Sequence, residues 1–220
     1  MTSQRFSDLE IAGVYRAINE RRDMRHFKPD PVPPELLQKL LNAAHRAPSV
    51  GLMQPWRFIR ITKASIRRKI YDLVQLERLE TSREIGLKDS SPRETEFMRL
   101  KVEGILECGE LLIATLCDQR EKYIFGRRTL PEMDLASVSC AIQNLWLASR
   151  AEGLGLGWVS LFDPLELSTL LKIPTDAKPV AILCLGYVEQ FYKKPMLVEE
   201  GWAKEKSLSE LVMENSWHAI

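Results

Sequence analysis

Long apolar runs, paired cysteines and a charge imbalance are all missing from this 220-residue chain. The longest stretch without a charge, residues 135–149, falls short of the ~20 residues that cross a bilayer. No membrane helix is expected. The opening residues, Met1-Thr2-Ser3-Gln4-Arg5-Phe6, lack the apolar core of a signal peptide, which points to a cytoplasmic protein. Cys108, Cys117, Cys140 and Cys184 show no Cys-x-x-Cys spacing and stand among apolar or small residues. They read as buried free thiols in a reducing compartment. His26, His45 and His218 are scattered, so no metal site is expected. Net charge is +1, which indicates neither nucleic acid nor an anionic membrane as a partner. No repeat and no linker divides the chain, so residues 1–220 are read as one domain with one sizeable core.

What is present is an alternation of helix and strand signals. Ser7-Asp8-Leu9-Glu10 has the form of a capping box and predicts a helix to about Arg22, with Val14, Ile18 and the stems of Arg21 and Arg22 on one face. A proline-punctuated loop leads to a second helix over 34–47 that turns Leu36, Leu37, Leu40, Leu41 and Ala44 inward and stops at Pro48. Residues 56–62 read as a strand and 64–79 as a helix. Residues 80–99 are highly charged with few apolar anchors, either a solvated insertion or a lid over a site. Residues 108–116 form an apolar run suited to a buried strand. Asp134 can cap a helix that Gly153 ends. That helix has no charge from Leu135 to Ser149, so it must be covered on all sides, by the core or by a partner. Strands over 155–161 and 179–188 flank a short helix over 164–171. A charged tail follows, in which Trp202 and Trp217 are expected to pack on a neighbouring surface. The order gives helices on a mixed sheet.

Gly153, Gly155 and Gly157 lie after a helix and before a strand, the reverse of a dinucleotide fingerprint. They read as a helix stop followed by close packing on the sheet. Arg21-Arg22-Asp23-Met24-Arg25 crowds three guanidiniums around one carboxylate. Guanidiniums take phosphate bidentately, and a carboxylate among them can handle a proton. A solvated helix end with an intrahelical charge network is the other reading. Ser49, Gln54 and Trp56, in a proline-bounded loop, offer hydrogen bonds and a covering ring for a planar heterocycle.

Taken together, Arg21-Arg22-Asp23-Met24-Arg25 and Ala47-Pro48-Ser49-Val50-Gly51-Leu52-Met53-Gln54-Pro55-Trp56 resemble the flavin mononucleotide (FMN) binding signature of the nitroreductase superfamily. The apolar helix, the Gly155-Leu156-Gly157-Trp158 strand and Leu185-Gly186-Tyr187 follow in the superfamily's order, so the likeness spans about residues 9–195. Many members carry Ser in place of Asp23 and Asn in place of Leu52. Asp23, the run from Thr129 to Asp134, and the run from Gly157 to Pro164 resemble the branch that breaks its flavin down.

The resemblance implies an α+β, nitroreductase-like fold: a central, mostly antiparallel sheet flanked by helices, in an intertwined homodimer with flavin at the shared interface. It implies an oxidoreductase that takes reduced FMN as substrate and, with molecular oxygen, fragments it to 5,6-dimethylbenzimidazole, the lower ligand of vitamin B12, releasing erythrose 4-phosphate. A separate flavin reductase would supply the reduced flavin. Asp23 (proton acceptor) and Ser160 (hydrogen bond near the reactive edge of the isoalloxazine) are the implied catalytic residues. Arg21, Arg22, Asp23, Met24, Arg25, Ser49, Gln54, Leu100, Ser160 and Lys194, or Lys193 beside it, are the implied flavin-binding residues. Two other readings stay open. One is an NAD(P)H-dependent FMN reductase of nitroaromatics, quinones or halogenated phenols. The other is a non-catalytic flavin-binding protein in which Asp23 merely pairs with an arginine.

Overall fold

The computed structural model describes residues 4–89 and 91–217, so the readings at residues 1–3, at Ser90 and at His218 lie outside the described residues. Helix α1 (Asp8–Glu20) starts at the capping box: the Ser7 hydroxyl accepts from the Glu10 N–H, and the Glu10 carboxylate accepts from the Ser7 N–H. It ends two residues before the expected Arg22, because Arg21 turns to an extended conformation (φ −61°, ψ 132°). No residue of α1 is buried, and Val14, Tyr15 and Ile18 stay exposed. Helix α2 (Pro34–His45) buries Leu37, Leu40 and Ala44, while Leu36 and Leu41 are half-buried beside them.

Four strands follow: β1 (Trp56–Arg60), β2 (Glu110–Leu116), β3 (Gly155–Val159) and β4 (Lys178–Gly186). They form one sheet in the order β1-β2-β4-β3, antiparallel throughout. β2 is buried along its whole length, so its apolar run needs no alternation with polar residues. Its side chains divide by the two-residue period of a strand. Leu112, Ala114 and Leu116 join Ala181, Leu183 and Leu185 under α2 and helix α5 (Met133–Ala151). Leu111 and Ile113 join Ile182 and Cys184 on the opposite face, against helix α3 (Ala64–Lys88) and helix α6 (Pro164–Leu171). Each fully buried Leu or Ile contributes about 1.5–3 kcal/mol, so this sandwiched sheet is the main source of stability.

The charged segment is helical rather than loop-like. α3 continues to Lys88, with Glu84 and Lys88 paired at 2.9 Å, and helix α4 (Ser91–Arg99) follows. Glu, Arg and Lys are good helix formers, so low hydrophobicity here does not mean a break. Ser82 and Phe97 are its buried anchors. α5 begins at Met133 with Glu132 as its cap, so Asp134 does not cap it; the Asp134 carboxylate is buried and takes Arg120 and Arg127 at 3.0 and 3.1 Å. Cys140, on the exposed side of α5, is not buried, in contrast to Cys108, Cys117 and Cys184. Gly153 ends α5 at φ +78°, as the sequence predicts. In the tail, Trp202 packs on Phe97, but Trp217 is 77% exposed and does not pack as expected. Among the described residues no helix is long and apolar enough to cross a membrane, and no group of His, Cys, Asp or Glu could hold a metal.

Candidate active site

Past α1 the chain runs alongside the outer edge of β3. Asp23 bridges to Leu156 in parallel, and the Met24 N–H donates to the Leu156 carbonyl at 3.1 Å. This approach depends on glycine. A Cβ on Gly157 would lie 2.2 Å from the Met24 carbonyl oxygen, and one on Gly155 would lie 2.5 Å from the Val188 side chain and 3.0 Å from Met24 Cγ. The close-packing reading of these glycines therefore holds. Met24 is buried with its side chain against the sheet, so it offers a ligand no side-chain contact.

Asp23 and Arg25 form a two-point pair, with Nη1 donating to Oδ1 at 2.5 Å and Nη2 to Oδ2 at 2.6 Å. The Trp158 N–H also donates to Asp23 Oδ1 at 2.9 Å, and Arg25 Nη2 donates to the Trp158 carbonyl at 3.0 Å. The carboxylate is thus aimed by β3 and by its neighbour. Arg22 closes the end of α1 by donating to the carbonyls of Asn19 and Arg21, and it ties down the tail through the Lys193 carbonyl at 2.9 Å. Arg21 lays its guanidinium over the Trp146 ring, 4.7 Å from the centroid. Its N–H groups meet no hydrogen-bond or carboxylate partner among the described residues. Tyr192 holds the tail from the other side: its hydroxyl lies 2.7 Å from His26 Nδ1 and accepts from the Arg25 N–H at 3.3 Å. Burial pushes the Tyr192 phenol up, with hydrogen bonds from the Arg25 and His26 backbone opposing.

These groups border a cavity of about 670 Å³ lined by Arg21, Arg22, Asp23, Arg25, Leu100 and Ser160 of the expected set. Ser160 is exposed directly after β3, and its hydroxyl has no hydrogen-bond partner among the described residues. Four expected residues do not line it, the buried Met24 and three others. Lys194 is exposed, beside the lining residue Pro195. Ser49 and Gln54 sit in a separate tight loop, where the Ser49 hydroxyl accepts from the Gln54 N–H at 3.0 Å and the neighbouring Val50 N–H donates to the Ser137 hydroxyl at 3.1 Å. Leu52 and Gln54 there have φ of 52° and 48°. Such left-handed backbone is costly for Leu and milder for Asn, and Leu52 is the position where many superfamily members carry Asn.

Other walls of the cavity were not anticipated. Phe97, Trp158, Met196, Leu197, Trp202 and Glu205 line it. Phe97, not the neighbouring Met98, turns inward; Met98 is exposed, while its carbonyl and that of Leu100 accept from Arg78 at 2.7 and 2.8 Å. Trp202 is locked between two parts of the insertion. Arg93 stacks 3.5 Å from its ring centroid and donates to its carbonyl at 2.7 Å, and Phe97 packs at 6.0 Å. The sequence signal was the pairing of an aromatic in a charged tail with an aromatic in a charged insertion, though nothing in one dimension joins them.

The volume lies in the ~300–1,000 Å³ range of small-molecule sites. The donors are suited to an anionic, acceptor-rich ligand. The Arg21 guanidinium and the exposed Ser160 hydroxyl face the cavity, and Arg22 Nε and Arg25 Nε are buried without partners among the described residues. An FMN phosphate or ring carbonyl would satisfy such groups.

Comparison with known proteins agrees with this chemistry. The chain is 38% identical over 188 residues to a 5,6-dimethylbenzimidazole synthase of Rhodospirillum rubrum, with 84% of this chain and 87% of that one covered. A BluB-like flavoprotein from Clostridium difficile superposes with a TM-score of 0.69 at 21% identity, covering 94% of this chain and 98% of that one. An iodotyrosine deiodinase bound to FMN and 3-iodo-L-tyrosine superposes with a TM-score of 0.70 at 22% identity, covering 93% and 100%. The model of the nitroreductase family matches residues 18–187, which include the arginine cluster, the whole sheet and Ser160, and the chain therefore belongs to the nitroreductase family.

Proposed function

We propose that the protein is a 5,6-dimethylbenzimidazole synthase, which takes reduced FMN and molecular oxygen and fragments the flavin. The observation that carries the reading is Asp23, where many relatives have Ser. Its carboxylate is fixed by Arg25 and the Trp158 N–H on the border of a cavity that also holds Arg21 and Ser160. The 38% identity to the Rhodospirillum rubrum synthase supports it independently.

When bound, reduced FMN supplies both the electrons and the carbon framework for reaction with oxygen. The chain's own residues bind, aim and move protons. Arg21, with Arg22 and Arg25 behind it, holds the phosphate and polar edges. Leu100, Phe97 and Trp202 form an apolar wall that keeps water out. Asp23, ready-aimed, accepts a proton as the flavin breaks up, and Ser160 offers a hydrogen bond from the end of β3. The α3–α4 insertion acts as a lid over this space.

Ser49 and Gln54 do not line the cavity, and Leu9, Val14, Tyr15 and Ile18 of α1 and Leu135 of α5 are exposed. Both facts support a homodimer in which the partner's Ser49 and Gln54 complete the flavin site. A separate flavin reductase provides the reduced substrate.

The test is to mix the purified protein with reduced FMN in air and weigh the products by mass spectrometry. Loss of flavin with formation of dimethylbenzimidazole is expected. Flavin recovered intact and merely reoxidised would reject the synthase reading, and NAD(P)H-driven reduction of small aromatic acceptors would then be assayed.

A further inference from the structure

We propose that Trp146 is the positioning residue that gives the cavity its preference for a phosphorylated flavin over the same flavin without phosphate, acting through Arg21. The inference rests on the flavin reading above and adds a residue that does not itself line the cavity.

The three arginines of the cluster are not equivalent. Arg25 is committed to the Asp23 carboxylate and the Trp158 carbonyl. Arg22 is committed to the carbonyls of Asn19, Arg21 and Lys193, where it satisfies the C-terminal end of α1. Arg21 lines the cavity, and among the described residues its guanidinium has only the face of Trp146 for support.

That support leaves the cation usable. A carboxylate partner would neutralise the guanidinium and occupy its N–H edge. An aromatic face holds the plane from below and leaves the in-plane donors free for a two-point bond to phosphate. Trp146 also fixes the main chain that follows. Its indole N–H donates to the Arg22 carbonyl at 3.1 Å. The ring also packs, tilted, against Trp158, a cavity wall, with centroids 6.4 Å apart. Trp146 is itself buried, at 8% exposure, on α5. One rigid side chain on the most buried helix thus sets the height of the guanidinium, the peptide beside it and the adjoining wall. Such preorganisation lowers the entropy cost of binding most for the part of the ligand that Arg21 meets, because the peptide and the wall have further supports of their own.

The test compares dissociation constants of oxidised FMN and riboflavin by fluorescence titration, so no turnover is required. The variants are Trp146→Phe, Trp146→Leu, Arg21→Met and the double Trp146→Leu/Arg21→Met. Trp146→Leu is expected to weaken FMN roughly two- to thirtyfold more than riboflavin, the span of a cation–π contact. Trp146→Phe should lie between it and the wild type. In the Arg21→Met background, Trp146→Leu should cost FMN no more than it costs riboflavin. Equal weakening of both flavins, or FMN-specific losses that multiply in the double variant, would overturn the inference and leave Trp146 a structural residue. If Trp146→Leu does not fold, Trp146→Phe and Arg21→Met carry the same comparison. A wild type that prefers FMN but fails to fragment it rejects the synthase reading and leaves the role of Trp146 standing. A wild type that binds both flavins alike rejects the role of Trp146 alone.

Discussion

Asp23 is bound on both oxygens by Arg25 and on one also by the Trp158 N–H. Asn in its place keeps the shape and an acceptor oxygen but cannot take a proton. Asp23→Asn is expected to bind FMN within a few-fold of wild type and to make no dimethylbenzimidazole, measured by flavin titration and product mass. Product at the normal rate would remove Asp23 from the mechanism. Ser160 gives the complementary case. It is exposed and its hydroxyl bonds nothing among the described residues, so Ser160→Ala should leave stability within about 0.5 kcal/mol while lowering product formed per flavin oxidised. A melting curve beside the product assay separates the two effects. Gly157→Ala is expected to do the opposite. Its Cβ would meet the Met24 carbonyl oxygen at 2.2 Å, and neither backbone can yield without moving Asp23. A loss of about 1–3 kcal/mol in stability together with loss of flavin binding is expected from denaturant melts and titration; a variant with normal affinity would show that the approach of the 23–25 segment to β3 is not needed.

The helices differ in what holds them. α1 buries no residue of its own in this chain, so its N-terminal cap carries more of its local order. Hydrogen bonds from the Ser7 hydroxyl and then the Ser7 N–H hold the Glu10 carboxyl below its ordinary value of 4.5. A carboxyl lowered on folding contributes stability above its unfolded pKa and loses it as pH falls through the folded one. The cap should therefore be intact above 4.5 and release below it, which NMR would follow as titration of the Ser7 amide proton. An amide that does not move in that window would show the cap to be absent in solution. α4 is held differently, by Arg93 on Trp202. Arg93→Ala should raise amide exchange in residues 91–99 and 195–205 and leave the sheet protected. Exchange unchanged in the tail would mean that α4 and the tail are not coupled through this contact.

For the whole molecule, the open question is what covers α1 and the exposed side of α5. Val14, Tyr15, Ile18 and Leu135 are exposed, as are the loop residues Leu52 and Phe125, and under the function proposed above a second copy of the chain would cover them. Light scattering should report twice the 25.3 kDa chain mass. Leu135→Glu places a charge on that surface and should yield a monomer with weakened FMN binding. A monomer that binds FMN normally would show that one chain carries the complete site.

The linear sequence was enough to determine most of the elements and the crowding of three guanidiniums around one carboxylate. Capping at Ser7, the proline stop after α2, the apolar run of β2 and the glycine stop at Gly153 are local effects, decided by residues within one turn or one strand of each other. That the charge-rich 80–99 segment is helical was not legible, because composition reports burial better than helix formation: its Glu, Lys and Arg residues favour a helix whether or not a core lies beside it. Only the tertiary structure decided how the cluster's members divide their work. Arg21, Arg22 and Arg25 look alike in sequence, yet one lies on a tryptophan 125 positions away (Trp146), one on carbonyls and one on Asp23. The same holds for the wall made by Phe97 and Trp202. Contacts between distant segments are set by how the sheet orders its strands, and neither the periodicity nor the composition of any one segment encodes that order.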